Sequence, residues 1–199
     1  MTARMNPELS FIAQLREIAT HPAARGLLDD AAVLEIGGTK VVLTHDMLVE
    51  GVHFLAGDPP ETVAWKLVAV NLSDLAAKGA TPIAALTSHT LTGDVGWDSA
   101  FVKGLGKALD HFAVALVGGD TVSARERSVG LTMIGEAKGH VPARSGAREG
   151  DALFVTGTIG DAGLGLAIAR GNLTGADALL DAYRTPVPQL AAGKALAST

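Results

Sequence analysis

The chain has 199 residues, a formal net charge of -5, 48% hydrophobic residues and no cysteine. That hydrophobic share supports one good core, or one core and part of a second, and argues against disorder. The missing cysteines exclude thiolate catalysis, zinc-thiolate sites and disulfides and fit a reducing compartment, while an acidic balance without a basic run argues against nucleic acid.

The opening Met1-Thr2-Ala3-Arg4-Met5-Asn6-Pro7-Glu8 lacks a signal-like apolar core, and no apolar run approaches the roughly 20 residues of a membrane span, so the expected location is the cytoplasm. From Pro7 to Thr20, Leu9, Ile12, Leu15 and Ile18 recur at near-helical spacing and predict a short amphipathic helix that docks. Ala31 to Ile36 and Lys40 to Thr44 read as a hairpin around Gly37-Gly38-Thr39. Asp29 and Asp30 enter its first strand and Asp46 leaves its second, two ends that an antiparallel pair puts on one side.

Pro59-Pro60-Glu61 opens a helix that runs to about Lys78 and is ended by Gly79. Trp65, Val68, Leu72, Leu75 and Ala76 form one apolar face, and Leu67, Val70 and Asp74 share the other, so Asp74 is expected to pack or to line a cleft. A buried carboxylate is costly unless paired, hydrogen-bonded or bound to metal. Strands are expected at Ile83 to Leu91, Ala113 to Val117, Ser128 to Glu136 and Ala152 to Thr156, with helices at Ser99 to His111 and Ala162 to Arg170. A composition shift near Val141 to Arg148 marks a boundary between a first unit, 1–140, and the start of a second, 141–199.

Aspartates thus recur in four places, Asp29-Asp30, Asp46, Asp74 and Asp120, each beside an apolar element. Hard cations such as Mg2+ take oxygen ligands and share them with nucleotide phosphates, so a converged set reads as a metal-phosphate site. Gly118-Gly119-Asp120 after an apolar strand suits either a phosphate-cradling loop or a simple tight turn. His53 follows the Asp46 segment closely and is the one histidine placed to reach such a site; His21, His89, His111 and His140 read as surface or packing residues. There is no G-x-x-x-x-G-K-[ST] loop, no G-x-S-x-G elbow and no protein-kinase motif set.

Four ordered segments, Asp29-Asp30-Ala31-Ala32-Val33, Thr44-His45-Asp46 through His53-Phe54, Trp65-Lys66 through Asn71-Leu72-Ser73-Asp74 to Ala80, and Gly118-Gly119-Asp120-Thr121, together resemble the bacterial thiamine-monophosphate kinase family. The resemblance extends through Gly150-Asp151 and Val155-Thr156-Gly157-Thr158-Ile159-Gly160-Asp161. It implies an α+β fold of the aminoimidazole-ribonucleotide synthetase type, a mixed or antiparallel sheet with flanking helices followed by the start of a second α/β domain. It implies ATP-dependent phosphorylation of thiamine monophosphate, with several Mg2+ ions and K+ as a candidate further cation, in a homodimer. By the same resemblance Asp30, Thr44, Asp46, Asp74 and Asp120 would hold metal with Asp29 and His45 beside them, Gly119, Asp120 and Arg144 would bind ATP, and His53 would touch thiamine phosphate.

An anionic acceptor phosphate needs no strong general base, so positioning and charge neutralisation can carry such a transfer. Two positions depart from the family, which usually has glycine at Leu28 and a small hydroxyl residue at His45. Family members run considerably longer, which leads to the expectation that this chain holds the first domain and the opening of the second, and turns over poorly by itself. Two other readings are a related ATP-dependent enzyme with another acceptor, and a non-catalytic nucleotide-binding or dimerisation module.

Overall fold

Asn6 caps the first helix by accepting the backbone N–H of Glu8 at 3.0 Å, and Pro7 supplies the preset φ of a first helical position, giving α1 (Pro7–Ile18). The computed structural model describes residues 6–198, so the Met1 to Met5 stretch of the expected signal-free start lies outside the described residues, as does Thr199. The hairpin forms as β1 (Ala32–Ile36) and β2 (Thr39–Val49). Gly37 and Gly38 both have positive φ, +58° and +82°, the two-residue turn that joins twisted strands without splaying them.

β2 is longer than periodicity predicted because β5 (Ser128–Ala137) pairs with it from Lys40↔Ala137 to Val49↔Ser128. Asp46 therefore lies inside a strand, not beyond one. Between them come α2 (Pro60–Ala77), β3 (Thr81–Leu91), α3 (Val95–His111) and β4 (Ala115–Ser123). α3 starts four residues earlier than expected, because Asp94 caps it by accepting the Trp97 N–H at 3.0 Å.

The five strands form one mixed sheet, ordered β1-β2-β5-β3-β4, antiparallel except for the parallel β3–β4 pair. α2 and α3 cover one face, and Phe54, Leu67, Leu72, Phe101, Leu131 and Met133 fill the layer between at under 2% exposure. The expected α+β fold is present. The other face of the sheet is bare, with Met47, Leu86 and Val122 exposed on it.

Beyond Val141, which is buried in the main core, three α-helices follow among the described residues: α4 (Asp161–Ala169), α5 (Asp177–Arg184) and α6 (Leu190–Ala197). Ala152 to Thr156 is not a strand, since no neighbouring strand is there to take its hydrogen bonds, and Leu153 and Phe154 are 94% exposed. α5 and α6 were missed by the sequence reading, and both pack on α2: the Trp65 indole N–H donates to the Pro186 carbonyl at 2.9 Å, and Gly193 of α6 lies against Ala76. Among the described residues no helix is long and apolar enough to cross a membrane.

Candidate functional site

Val42, Thr44 and Leu48 of β2 are buried against α2, so strand alternation points Asp46 to that same side and His45 and Met47 to the bare one. From α2 the Asp74 carboxylate accepts the Thr44 hydroxyl at 2.7 Å, with the Asp30 carbonyl as a second acceptor 3.3 Å from that hydroxyl. Thr44 thus joins three chain segments. The fully buried Asn71, one turn before Asp74, fixes the strand to the helix: its Nδ2 donates to the Leu67 carbonyl at 2.9 Å and its Oδ1 accepts the Asp46 backbone N–H at 3.2 Å.

Asp30, Asp46 and Asp74 lie within electrostatic reach of one another. Burial pushes the Asp74 carboxyl up to about 6, with the charges of Asp46 and Asp30 adding to it against the Thr44 hydrogen bond. Asp46 is also raised, by burial first and then by Asp30, against the opposing pull of His45, His53 and a hydrogen bond with Asp74. Like charges held together in a half-buried place favour a cation or a shared proton. Among the described residues no three His, Asp or Glu side chains are grouped so that they could hold a metal ion as they stand. The trio is an open set of hard oxygen donors, which suits Mg2+, an ion that keeps waters and is completed by substrate phosphates.

Three expected ligands stand elsewhere. Asp29 is buried and ion-paired to Lys78 and Arg25, so its charge is already neutralised. Burial pushes this carboxyl up, but the Lys78 hydrogen bond, the Asp30 backbone N–H and the Lys78 and Arg25 charges together hold it below the ordinary range. His45 faces away from Asp46, with its Nδ1 2.9 Å from the Thr132 hydroxyl. Asp120 is separated from the trio by β5 and β3, since Asp46 aligns with Leu131, Leu131 with Thr87 and Thr87 with Gly119. Three interstrand spacings amount to roughly 14 Å. Asp120 instead opens onto the bare face beside Met47, Ser88 and Thr90.

Gly118-Gly119-Asp120 is neither loop nor turn, because it lies within β4, an edge strand. Gly119 is there for close approach: a Cβ on it would stand 2.2 Å from the Thr87 carbonyl oxygen. Arg144, expected at the nucleotide, is placed beside the trio and donates to Asp30 at 3.1 Å. His53 lies on the turn after β2, its Nδ1 accepting the Val49 N–H at 3.0 Å, which leaves Nε2 as the outward N–H. His89 packs on Trp97 and Phe101 and pairs with Asp98 at 3.1 Å, and His111 packs on Trp65 and Phe112, both as expected of packing residues. Sequence reasoning assigned no role to Asn71 or Lys78; the only signal for either was its place in the same helix segment as Asp74.

The arrangement is a carboxylate trio set between the first strands and the first covering helix of a five-stranded mixed sheet. Residues 28–137 match the family described as AIR synthase related protein, N-terminal domain, and the chain belongs to that family. It is 42% identical over 197 residues to the thiamine-monophosphate kinase of Caulobacter vibrioides, covering 92% of this chain and 54% of that relative. It is 39% identical over 183 residues to the thiamine-monophosphate kinase of Escherichia coli K12, covering 86% and 55%. Its fold is similar to that of AaThiL complexed with AMPPCP and TMP, with a TM-score of 0.87 and 30% identity over 99% of this chain and 65% of that one. The chain spans about half the length of the curated relatives it matches.

Proposed function

We propose that this chain supplies the Mg2+-nucleotide half of a thiamine-monophosphate kinase acting in thiamine diphosphate biosynthesis, with the cytoplasm as its compartment. The observation that carries the reading is the gathering of Asp30, Asp46 and Asp74 beside Thr44, whose hydroxyl meets the Asp74 carboxylate and the Asp30 backbone carbonyl, with only Arg144 pairing to one of the three carboxylates. In the reaction an oxygen of the thiamine monophosphate phosphate attacks the γ-phosphorus of ATP. One P–O bond forms and the β–γ bridging bond breaks, giving thiamine diphosphate and ADP.

Asp30, Asp46 and Asp74 would hold Mg2+, whose chemistry is to neutralise the transferring phosphates and keep donor and acceptor in line. Thr44 fixes the Asp74 carboxylate and the Asp30 backbone, and Asn71 fixes the Asp46 backbone. The Arg144 guanidinium stands where it can leave Asp30 for a nucleotide phosphate, and His53 presents an N–H to an acceptor phosphate. Because the acceptor is already an anion, no residue is required to take a proton. K+ is a further candidate cation.

Residues 1–140 would carry the metal-nucleotide and dimerisation surfaces, and 141–199 would begin a second unit. A second copy of the chain is the partner we assign to the bare sheet face carrying Met47, Leu86 and Val122. The test is thiamine diphosphate formation from thiamine monophosphate and Mg-ATP, using this chain beside one extended by a relative's remaining half. Product from the extended chain, with Mg-ATP binding by both and loss of that binding in Asp46→Asn, is the expected result. Mg-ATP binding unaffected by Asp46→Asn would show that the trio is not the phosphate site.

A further inference from the structure

Two charged groups beside the trio, Arg25 and Asp29, have no part in the transfer described above. Arg25 opens a run of three residues with left-handed backbone, at φ +51°, with Gly26 at +67° and Leu27 at +49°. Side chains such as those of Arg25 and Leu27 disfavour that conformation, so the run persists only where its surroundings hold it. The Arg25 guanidinium is anchored at three points. It donates through Nη1 to the Pro142 carbonyl at 2.9 Å and through Nη2 to the Val141 carbonyl at 2.8 Å, and it pairs with the Asp29 carboxylate. From the end of α2, Lys78 pairs with the same carboxylate and donates to the Pro142 carbonyl at 3.3 Å. Asp29 and Lys78 are 4% and 3% exposed, so water and salt screen their pair little.

This clamp ends one residue before Asp30 and two residues before Arg144, and those two side chains meet at 3.1 Å. Two residues of extended chain reach at most about 7 Å, so fixing the Val141 and Pro142 carbonyls limits where the Arg144 guanidinium can stand. Arg144 is 69% exposed, so its own packing does little to place it. We propose that Arg25 is a positioning residue: with Asp29 and Lys78 it clamps Val141 and Pro142, and so holds Arg144 at the carboxylate trio for a nucleotide phosphate. What Arg144 does there rests on the phosphate site proposed above. A guanidinium suits the task because its planar fork meets two carbonyls and a carboxylate together, whereas an ammonium is a point charge without that geometry. Asp29 is the buried counter-charge that orients the fork.

The test uses the full chain, with Mg-ATP titrated calorimetrically and with amide hydrogen exchange of residues 141–146 measured without ligand. Arg144→Gln is the reference and is expected to weaken Mg-ATP about tenfold, the size of one hydrogen bond to a charged group. Arg25→Gln is expected to speed exchange in 141–146 and to weaken Mg-ATP about fivefold, yet to weaken it no further in the Arg144→Gln background. Arg25→Lys keeps the charge beside Asp29, which protects folding, but loses the fork and should behave as Arg25→Gln does. Additive losses in the double variant, or full affinity in Arg25→Lys, would overturn the positioning role, since either makes Arg25 a general stabiliser. So would unchanged exchange in 141–146. If Arg144→Gln leaves Mg-ATP affinity intact while Arg25→Gln still speeds exchange, the clamp on Arg144 stands and the phosphate role of Arg144 falls.

Discussion

Asp58 gives the sharpest test of how the last helices are held to the first unit. Its carboxylate, 2% exposed, accepts the Tyr183 hydroxyl at 2.7 Å, the Arg184 Nε–H at 2.9 Å and the Leu55 backbone N–H at 2.9 Å. Asp58→Ala leaves three donors without their acceptor. Each stranded buried group costs about 1–3 kcal/mol, and a broken buried ion pair about 3–5 kcal/mol. Arg184 is 22% exposed and can turn to water, so the sum is expected near the low end, about 3 kcal/mol. For a chain of this size that lowers Tm by roughly 6–12 °C. The pH dependence carries a sign. Burial pushes the Asp58 carboxyl up, but hydrogen bonds from Leu55, Tyr183 and Arg184 and the Arg184 charge outweigh it and hold the group below the ordinary range. Its contribution is therefore complete above the unfolded value of about 3.9 and is lost as pH falls through the lower folded value. Thermal unfolding by circular dichroism from pH 7 down to pH 3 should show the gap between wild type and Asp58→Ala narrowing at the acid end. A gap under about 1 °C at pH 7 would refute the assignment of this carboxylate as the tie.

Asp74→Asn should raise the stability of the metal-free chain by about 1 kcal/mol, because it removes one of three mutually repelling charges, yet abolish protection by Mg-ATP; differential scanning fluorimetry with and without the ligand reads both effects. Gly119→Ala should cost about 1–3 kcal/mol in urea unfolding, since its Cβ would sit 2.2 Å from the Thr87 carbonyl oxygen, and a neutral result would mean β4 and β3 are not in such contact. His45→Ala should leave calorimetric Mg-ATP affinity unchanged, as its ring lies across the sheet from Asp46; a clear loss would place a ligand on the bare face. Tyr183→Phe should cost about 1 kcal/mol, a fraction of the Asp58→Ala effect, because it removes one donor and strands none.

Elements that depend on near neighbours in the chain were legible. α1, α2, the Gly37-Gly38 hairpin, β3 and β5 are written in apolar spacing, caps and turn residues, all of which act within a few residues. Asp30, Asp46 and Asp74 could be named as candidates because charged side chains beside apolar elements carry a cost that calls for an explanation. α5 could have been read from Leu179, Leu180 and Tyr183 at helical spacing, whereas alanine-rich α6 offers little pattern until Gly193 meets Ala76.

The amino-acid sequence by itself determined the local elements and which carboxylates needed a partner. Strand order was decided only in the tertiary structure, because pairing joins residues far apart in the chain through backbone groups that every residue shares. Placing β5 and β3 between β2 and β4 took Asp120 away from Asp46, and the two-residue alternation of β2 turned His45 from the face that Thr44 and Asp46 share. Asp29 and Asp30 are neighbours in sequence, yet Lys78 neutralises one and Arg144 meets the other. How each of two adjacent carboxylates is paired depends on cations delivered from distant parts of the chain.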